Sequence, residues 1–285
     1  MSLNCHLFLL GFGLCIPFIT KQQKPILWAL PLTFLLGAFS GHVHLNQGAP
    51  YVFAALCGCF FLFFKTKLTP YKRFFVGLVC FALSQVVLWR LVPGIDNFYV
   101  GDMTLKEGSI PLTLWWNIDK PLLSILIFGL VPFSKLSLHD WRTMILRAFP
   151  VIVACALCLA PLALFAEMVR WSPGLPAMAS QLLIRNLIFV VIAEEIFYRF
   201  FLQNALYDLA HHFKLSRWWA LATITLLFAV CGHASGGPLY AAFAGIAGFF
   251  YGYAYHTTKR IEAAIIVHFS INVLHMLLFT YPLAK

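Results

Sequence analysis

Long apolar runs separated by short polar loops fill almost the whole chain. A helix needs about 20 apolar residues to cross the hydrocarbon core of a bilayer. The pattern predicts eight to ten spans, because the runs at 51–64 and 121–134 are short enough to be re-entrant. The ten runs lie at residues 3–20, 25–42, 51–64, 74–92, 121–134, 148–168, 183–206, 218–233, 239–256 and 261–280.

The longest connection, 93–120, divides the chain into two regions. It is rich in glycine and proline, which interrupt helices, and its two adjacent tryptophans are typical of a membrane interface. The predicted fold class is therefore all-α, a polytopic transmembrane helical bundle. We expect residues 1–120 to form N-terminal transmembrane helices and an interfacial loop, and residues 121–285 to carry the candidate site.

Composition supports a membrane protein. Apolar residues make up 61% of the chain and charged residues 11%, against about 25% charged residues in soluble domains. These values exclude a disordered chain, a coiled coil and a secreted disulfide scaffold. The expected localisation is therefore the cell membrane, plasma or inner, with several passes and the lipid bilayer as a partner.

The net charge of +10 would suggest nucleic acid in a soluble protein. Here the positive residues lie in short loops, with thirteen in the odd-numbered loops of the ten-span pattern and four in the others. Such an asymmetry is typical of cytoplasmic loops that face an anionic membrane surface. No nucleic-acid partner is therefore expected, and Lys120 belongs to the sparsely charged outer loops.

Two adjacent glutamates, Glu194 and Glu195, lie deep inside an apolar run. A charge at the centre of a bilayer costs roughly 2.5–3.5 kcal/mol on insertion scales, so such residues are functional candidates. Glu195 and Arg199 share a helix face at i and i+4, which predicts an ion pair. Glu194 points about 100° away and is the carboxylate predicted to do chemistry. The alternative is a purely structural polar contact between helices.

A second group of polar residues follows in the next apolar runs. His233 precedes the helix-breaking sequence Ala-Ser-Gly-Gly-Pro, and irregular backbone at membrane depth is tolerated inside protein or beside a water-filled cavity. His268 and Asn272, at i and i+4, should face the bundle interior, with interhelical hydrogen bonding as the alternative role. Between these runs, Gly245 and Gly248 let helices approach closely.

Taken in order, these residues resemble the signature of the CPBP family, the Rce1-like CAAX proteases and bacteriocin-processing proteins of the membrane. The resemblance covers about 180–280. It rests on Glu194-Glu195-x-x-x-Arg199, a histidine preceded by phenylalanine at Phe228 and His233, and His268-x-x-x-Asn272.

The resemblance implies an intramembrane endopeptidase acting on a membrane-anchored peptide or protein. Glu194 and His233 would activate a water molecule, and His268 and Asn272 would stabilise the oxyanion. The candidate catalytic set is Glu194, Glu195, Arg199, His233, His268 and Asn272. One departure concerns spacing, because the family's second motif is F-x-x-x-H and this chain has one residue more. We therefore assign His233 and not Phe228.

The resemblance leaves metal dependence open. Zinc is possible, and its ligands would then be Glu194, His233 and His268. Since no H-E-x-x-H sequence is present, we favour a glutamic-type mechanism without cofactor. Two other functions stay open at this point. One is a non-catalytic immunity or binding protein on the same scaffold, and the other is a proton-coupled transporter.

Overall fold

A computed structural model describes residues 31–32, 35–131, 136–233 and 236–285. In chain order the elements are α1 (Gly48–Lys65), α2 (Pro70–Leu88), β1 (Phe98–Met103), β2 (Leu112–Trp116), α3 (Asp119–Leu130), α4 (Leu138–Phe165), α5 (Ala179–Arg185), π1 (Asn186–Val191), α6 (Ile192–Glu195), π2 (Ile196–Gln203), α7 (Asn204–His212), α8 (Arg217–Leu227), π3 (Phe228–Gly232), α9 (Pro238–Thr258) and α10 (Ile261–Leu278).

The described chain is mostly helical, and four of its helices are long and apolar enough to cross a membrane. These are α1, α2, α4 and α10. The predicted number of eight to ten spans stays a prediction. The run at 3–20 and part of the run at 25–42 lie outside the described residues.

The helix described within the run at 121–134 is short. This helix, α3, has 12 residues, which at 1.5 Å per residue is about 18 Å and shorter than a hydrocarbon core of about 30 Å. Ten of these residues are buried, so α3 is an internal helix.

The connection 93–120 adds a short β-structure to the mostly helical fold, because it contains the strands β1 and β2. They form a two-stranded sheet. β-Branched and aromatic residues favour strands, and in β2 the side chains of Leu114 and Trp116 are buried. Strands of five or six residues lack the long apolar run from which the helices were predicted.

Residue contacts divide the chain into two compact units, each described here by itself. The first comprises Met1–Phe98, Asn117–Lys135 and Ile192–Arg217. Its core is aromatic. Phe201 of π2 makes edge-to-face contacts with Phe60 and Phe63 of α1, at centroid distances of 4.9 and 5.3 Å. Such pairs add to the free energy of apolar burial and hold π2 against α1.

The second unit comprises Tyr99–Trp116, Leu136–Val191 and Trp218–Lys285. Its helix α4 begins with a capping box, in which Ser137 and Asp140 satisfy each other's backbone N–H groups. α9 and α10 pack against α4 and against each other. The hairpin region packs on α5 and α10 through a buried cluster of Leu105, Leu114, Leu182 and Met276.

Lys106, between the strands, is buried and closes the carboxyl end of α10. Its Nζ donates to the carbonyl oxygens of Ser172, Leu277 and Phe279 at 2.5, 3.2 and 3.0 Å. Burial lowers the pKa of Lys106, and the three carbonyl acceptors compensate for the lost hydration. A cation at a helix carboxyl terminus also interacts favourably with the helix dipole.

Candidate active site

Glu195 and Arg199 form the predicted ion pair. Arg199 Nε donates to Glu195 Oε2 at 3.1 Å, and both side chains are fully buried. The i, i+4 spacing brings them together on one helical face. A buried pair costs desolvation, but removal of one partner costs more, because it leaves a charge without compensation. Arg199 therefore holds Glu195 in place and neutralises it.

Glu194 pairs with a residue that sequence reasoning did not assign to the site. Lys120 Nζ donates to Glu194 Oε1 at 3.2 Å, and the two side chains are 21% and 7% exposed. Lys120 lies 74 residues before Glu194, in a segment predicted to be an outer loop. Glu194 thus also has a basic partner, which the sequence did not predict.

Helix α3 places Lys120 through a set of local hydrogen bonds. Asn97 Nδ2 donates to Asp119 Oδ2 at 3.1 Å, and the backbone N–H of Lys120 donates to Asp119 Oδ1 at 2.7 Å. One turn further on, Ser124 Oγ donates to the carbonyl oxygen of Ala193 at 3.2 Å. Because Ala193 directly precedes Glu194, two contacts fix α3 beside the glutamates.

In the second unit, a π-helical turn places His233. π-Helical hydrogen bonds join residues i and i+5, and such turns are frequent at functional sites. The π3 segment runs from Phe228 to Gly232, and His233 Nδ1 lies 3.0 Å from the carbonyl oxygen of Phe228, five residues earlier. The two rings are 4.4 Å apart. The π3 turn thus takes up the one residue that this chain has beyond the F-x-x-x-H motif, and Phe228 lies beside His233.

His268 is buried within an aromatic stack. Its ring lies 4.2 Å from that of Tyr251, almost parallel at 13°, and 6.4 Å from that of Phe228, edge to face. It is 5% exposed. Phe228 therefore contacts both candidate histidines. It was not assigned from the sequence because of its spacing from His233, although the family resemblance included it.

The third candidate residue in the second unit is Asn272, one turn beyond His268 on α10. Its Nδ2 donates to Oδ1 of Asn186 at 3.2 Å. Asn186 is the first residue of π1, so a second π-helical segment carries a residue of this group. His275, another turn along, faces Tyr281 at a centroid distance of 5.2 Å.

The predicted residues therefore fall into two groups. Glu194, Glu195 and Arg199 lie together in the first unit, with Lys120. His233 and His268 meet at Phe228 in the second unit, where Asn272 lies on the same helix as His268.

A metal site would draw on Glu194, His233 and His268, which lie in two different units. Within the described residues, no three His, Cys, Asp or Glu side chains form a group that could hold one. The Lys120 ammonium lies 3.2 Å from Glu194 Oε1, where it would repel a divalent cation bound to that oxygen. No catalytic step is therefore assigned to zinc.

Comparison with known protein families shows what one segment of the chain is similar to. Residues 176–274 match the family model described as type II CAAX prenyl endopeptidase Rce1-like. The match covers about a third of the chain, includes all six candidate catalytic residues and confirms the family resemblance. Searches of curated proteins and of solved structures found no match. Residues 176–274 are therefore similar to the Rce1-like CAAX prenyl endopeptidases.

Proposed function

We propose that the protein is an intramembrane endopeptidase that hydrolyses a peptide bond of a membrane-anchored substrate with an activated water molecule. Glu194 and His233 act on the water, and His268 and Asn272 donate hydrogen bonds to the oxyanion. The observation that carries this proposal is the family match over 176–274 together with the buried charges on α6 and π2. We further propose a multi-pass protein of the plasma or inner membrane.

The environments of the two glutamates support different roles. Glu195 is fully buried with Arg199, an arrangement that fixes structure. Glu194 is slightly exposed and its partner is a lysine that is itself partly exposed. A general base must reach a water molecule, so Glu194 suits that role better than Glu195.

The second unit supplies groups that suit an oxyanion. An imidazole N–H and an amide NH₂ are hydrogen-bond donors, and donors held rigidly before the reaction stabilise the developing charge. The stack on Tyr251 fixes His268, and Asn186 fixes the Asn272 amide.

The position of Phe228 also bears on the alternative of a non-catalytic immunity protein. That alternative was motivated by the extra residue before His233. Since the π3 turn keeps Phe228 beside His233, the altered spacing no longer favours it.

The experiment uses the full chain in proteoliposomes with a membrane-tethered peptide substrate. Glu194→Ala should lower turnover by about 10²–10⁴-fold, the usual contribution of a general base. Glu107→Ala, at an exposed carboxylate between the strands, is the matched control and should cleave as wild type does. Wild-type turnover by Glu194→Ala would contradict the proposal.

Metal dependence is tested separately. A mechanism without metal predicts that prolonged treatment with 1,10-phenanthroline leaves turnover unchanged. Loss of activity that added Zn²⁺ restores would instead show a metalloprotease.

A further inference from the structure

We propose that Lys120 is a positioning residue of the hydrolytic reaction. It holds the Glu194 carboxylate and balances the negative charge when that charge moves to the tetrahedral intermediate. This inference rests on the proposed function, because it takes Glu194 as the base. Its observation is the 3.2 Å contact between Lys120 Nζ and Glu194 Oε1.

Two buried or partly buried ion pairs hold the charges of Glu194 and Glu195. Arg199 is bonded to Glu195, with both side chains fully buried, so its charge compensates that carboxylate. The Lys120 ammonium compensates Glu194. Within these two ion pairs the charges cancel, and the buried Asp119 beside Lys120 accepts hydrogen bonds from Asn97 and from the Lys120 N–H. In a medium of low polarity, a charge without compensation is strongly disfavoured, so the reaction must keep this balance.

Hydrolysis moves one negative charge without creating another. Water gives a proton to Glu194 while its oxygen bonds to the carbonyl carbon, so the carboxylate becomes neutral and the carbonyl oxygen becomes negative. Collapse of the intermediate breaks the C–N bond, and the proton passes from Glu194 to the leaving amine. One negative charge is present throughout, and the Lys120 ammonium compensates it at each stage.

The position of Lys120 is fixed before substrate binds. Its backbone N–H donates to Asp119, whose other carboxylate oxygen accepts from Asn97, and Ser124 ties the next turn to Ala193. Preorganised charge stabilises a transition state without reorganisation during the reaction. Lys120 lies outside the matched segment 176–274, so this chain's preceding region contributes directly to the site.

The test compares Lys120→Met with Lys120→Arg in proteoliposomes with the membrane-tethered peptide. Lys120→Met should lower kcat about 10- to 100-fold and change KM by less than about threefold, since it removes an interaction that matters in the transition state. Lys120→Arg keeps the charge and should restore kcat to within about fivefold of wild type, although its geometry differs. Lys67→Met, at an exposed lysine, is the control.

Three outcomes would overturn the inference: a wild-type kcat for Lys120→Met, a raised KM with unchanged kcat, or a Lys120→Arg protein as slow as Lys120→Met. If Lys120→Met does not fold, Lys120→Gln is assayed under the same criteria. Glu194→Ala is measured in parallel. Wild-type turnover by Glu194→Ala refutes the proposed function. If Glu194→Ala loses turnover while Lys120→Met keeps the wild-type kcat, only the role of Lys120 is refuted.

Discussion

The Asn272 amide donates from Nδ2 to Oδ1 of Asn186 at 3.2 Å, which joins α10 to the first residue of π1. An amide can present either its N–H or its C=O side to a neighbour. Because Asn186 is the acceptor, the NH₂ group of Asn272 faces Asn186. The second N–H of that group lies in the same amide plane, so Asn186 fixes its direction as well.

Replacement of Asn186 by alanine should therefore impair catalysis through Asn272. We expect Asn186→Ala to lower kcat about 10-fold and Asn272→Ala about 10²-fold, the range for one oxyanion donor. In the double variant kcat should be no lower than in Asn272→Ala alone, because coupled residues are not additive. Steady-state cleavage kinetics measure this cycle, with exposed Asn46→Ala as control. Independent, additive losses would contradict the coupling.

Gly248 of α9 faces the aromatic ring that contacts both histidines. A Cβ at this position would lie 2.6 Å from Phe228 Cδ1, so Gly248→Ala must displace the ring or separate the helices. Overpacking of this kind costs about 1–3 kcal/mol, more than the helix propensity that alanine gains. We expect a lower Tm together with at least a roughly tenfold loss of turnover, since the rings beside His233 and His268 must shift.

The control for this substitution is Gly58→Ala in α1. A Cβ at Gly58 meets nothing within 4 Å, so this variant should keep wild-type activity and a Tm equal to or above that of wild type. Equal behaviour of the two alanine variants would show that contact with Phe228 is unimportant.

The Glu195–Arg199 pair should prove structural in a stability experiment. Arg199→Met leaves a buried carboxylate without its partner, which costs about 3–5 kcal/mol. When Glu195→Met is added, most of this loss should be recovered, because an apolar pair replaces an ionic one. Thermal unfolding in detergent measures both.

An exposed ion pair provides the comparison. Arg73 and Asp208 are 3.8 Å apart, with side chains 42% and 63% exposed, and such pairs contribute about 0–1 kcal/mol. Asp208→Asn should therefore change the Tm little. If the double Met variant is no more stable than Arg199→Met, charge compensation is not what Arg199 supplies.

Lys106 should stabilise the carboxyl end of α10. Lys106→Met removes three hydrogen bonds to buried carbonyl groups, and one bond to a charged group contributes about 1.5–3 kcal/mol. We expect a loss of at least about 2 kcal/mol, seen as a Tm roughly 4–8 °C lower. Lys65→Met, at an exposed lysine, should leave the Tm unchanged. An unchanged Tm for Lys106→Met would contradict the closure of α10 by this residue.

Local rules predicted the features that depend on neighbours in sequence. Apolar runs identified the helices α4 and α10, and the i, i+4 rule predicted the ion pair of Glu195 and Arg199, which the structure confirms. Both follow from the period of the α-helix alone.

Features that depend on distant parts of the chain were not predictable. Lys120 meets Glu194 across 74 residues, and its position in sequence favoured a loop. The hairpin of β1 and β2 is too short to produce a clear periodic signal. Phe228 was set aside because its spacing from His233 is one residue longer than in the family's F-x-x-x-H motif, and a π-helical turn cannot be inferred from spacing alone. The roles of the six candidate residues stay predictions until their variants are assayed.

The π3 turn has a consequence for how related sequences are recognised. An α-helical turn brings a phenylalanine and a histidine together at an interval of four, whereas a π-helical turn does so at an interval of five, as in Phe228 and His233. A one-residue insertion between them can thus leave the pairing intact. A pattern search that fixes this interval at four would overlook chains with the longer turn, so diagnostic patterns for such proteases should accept both lengths.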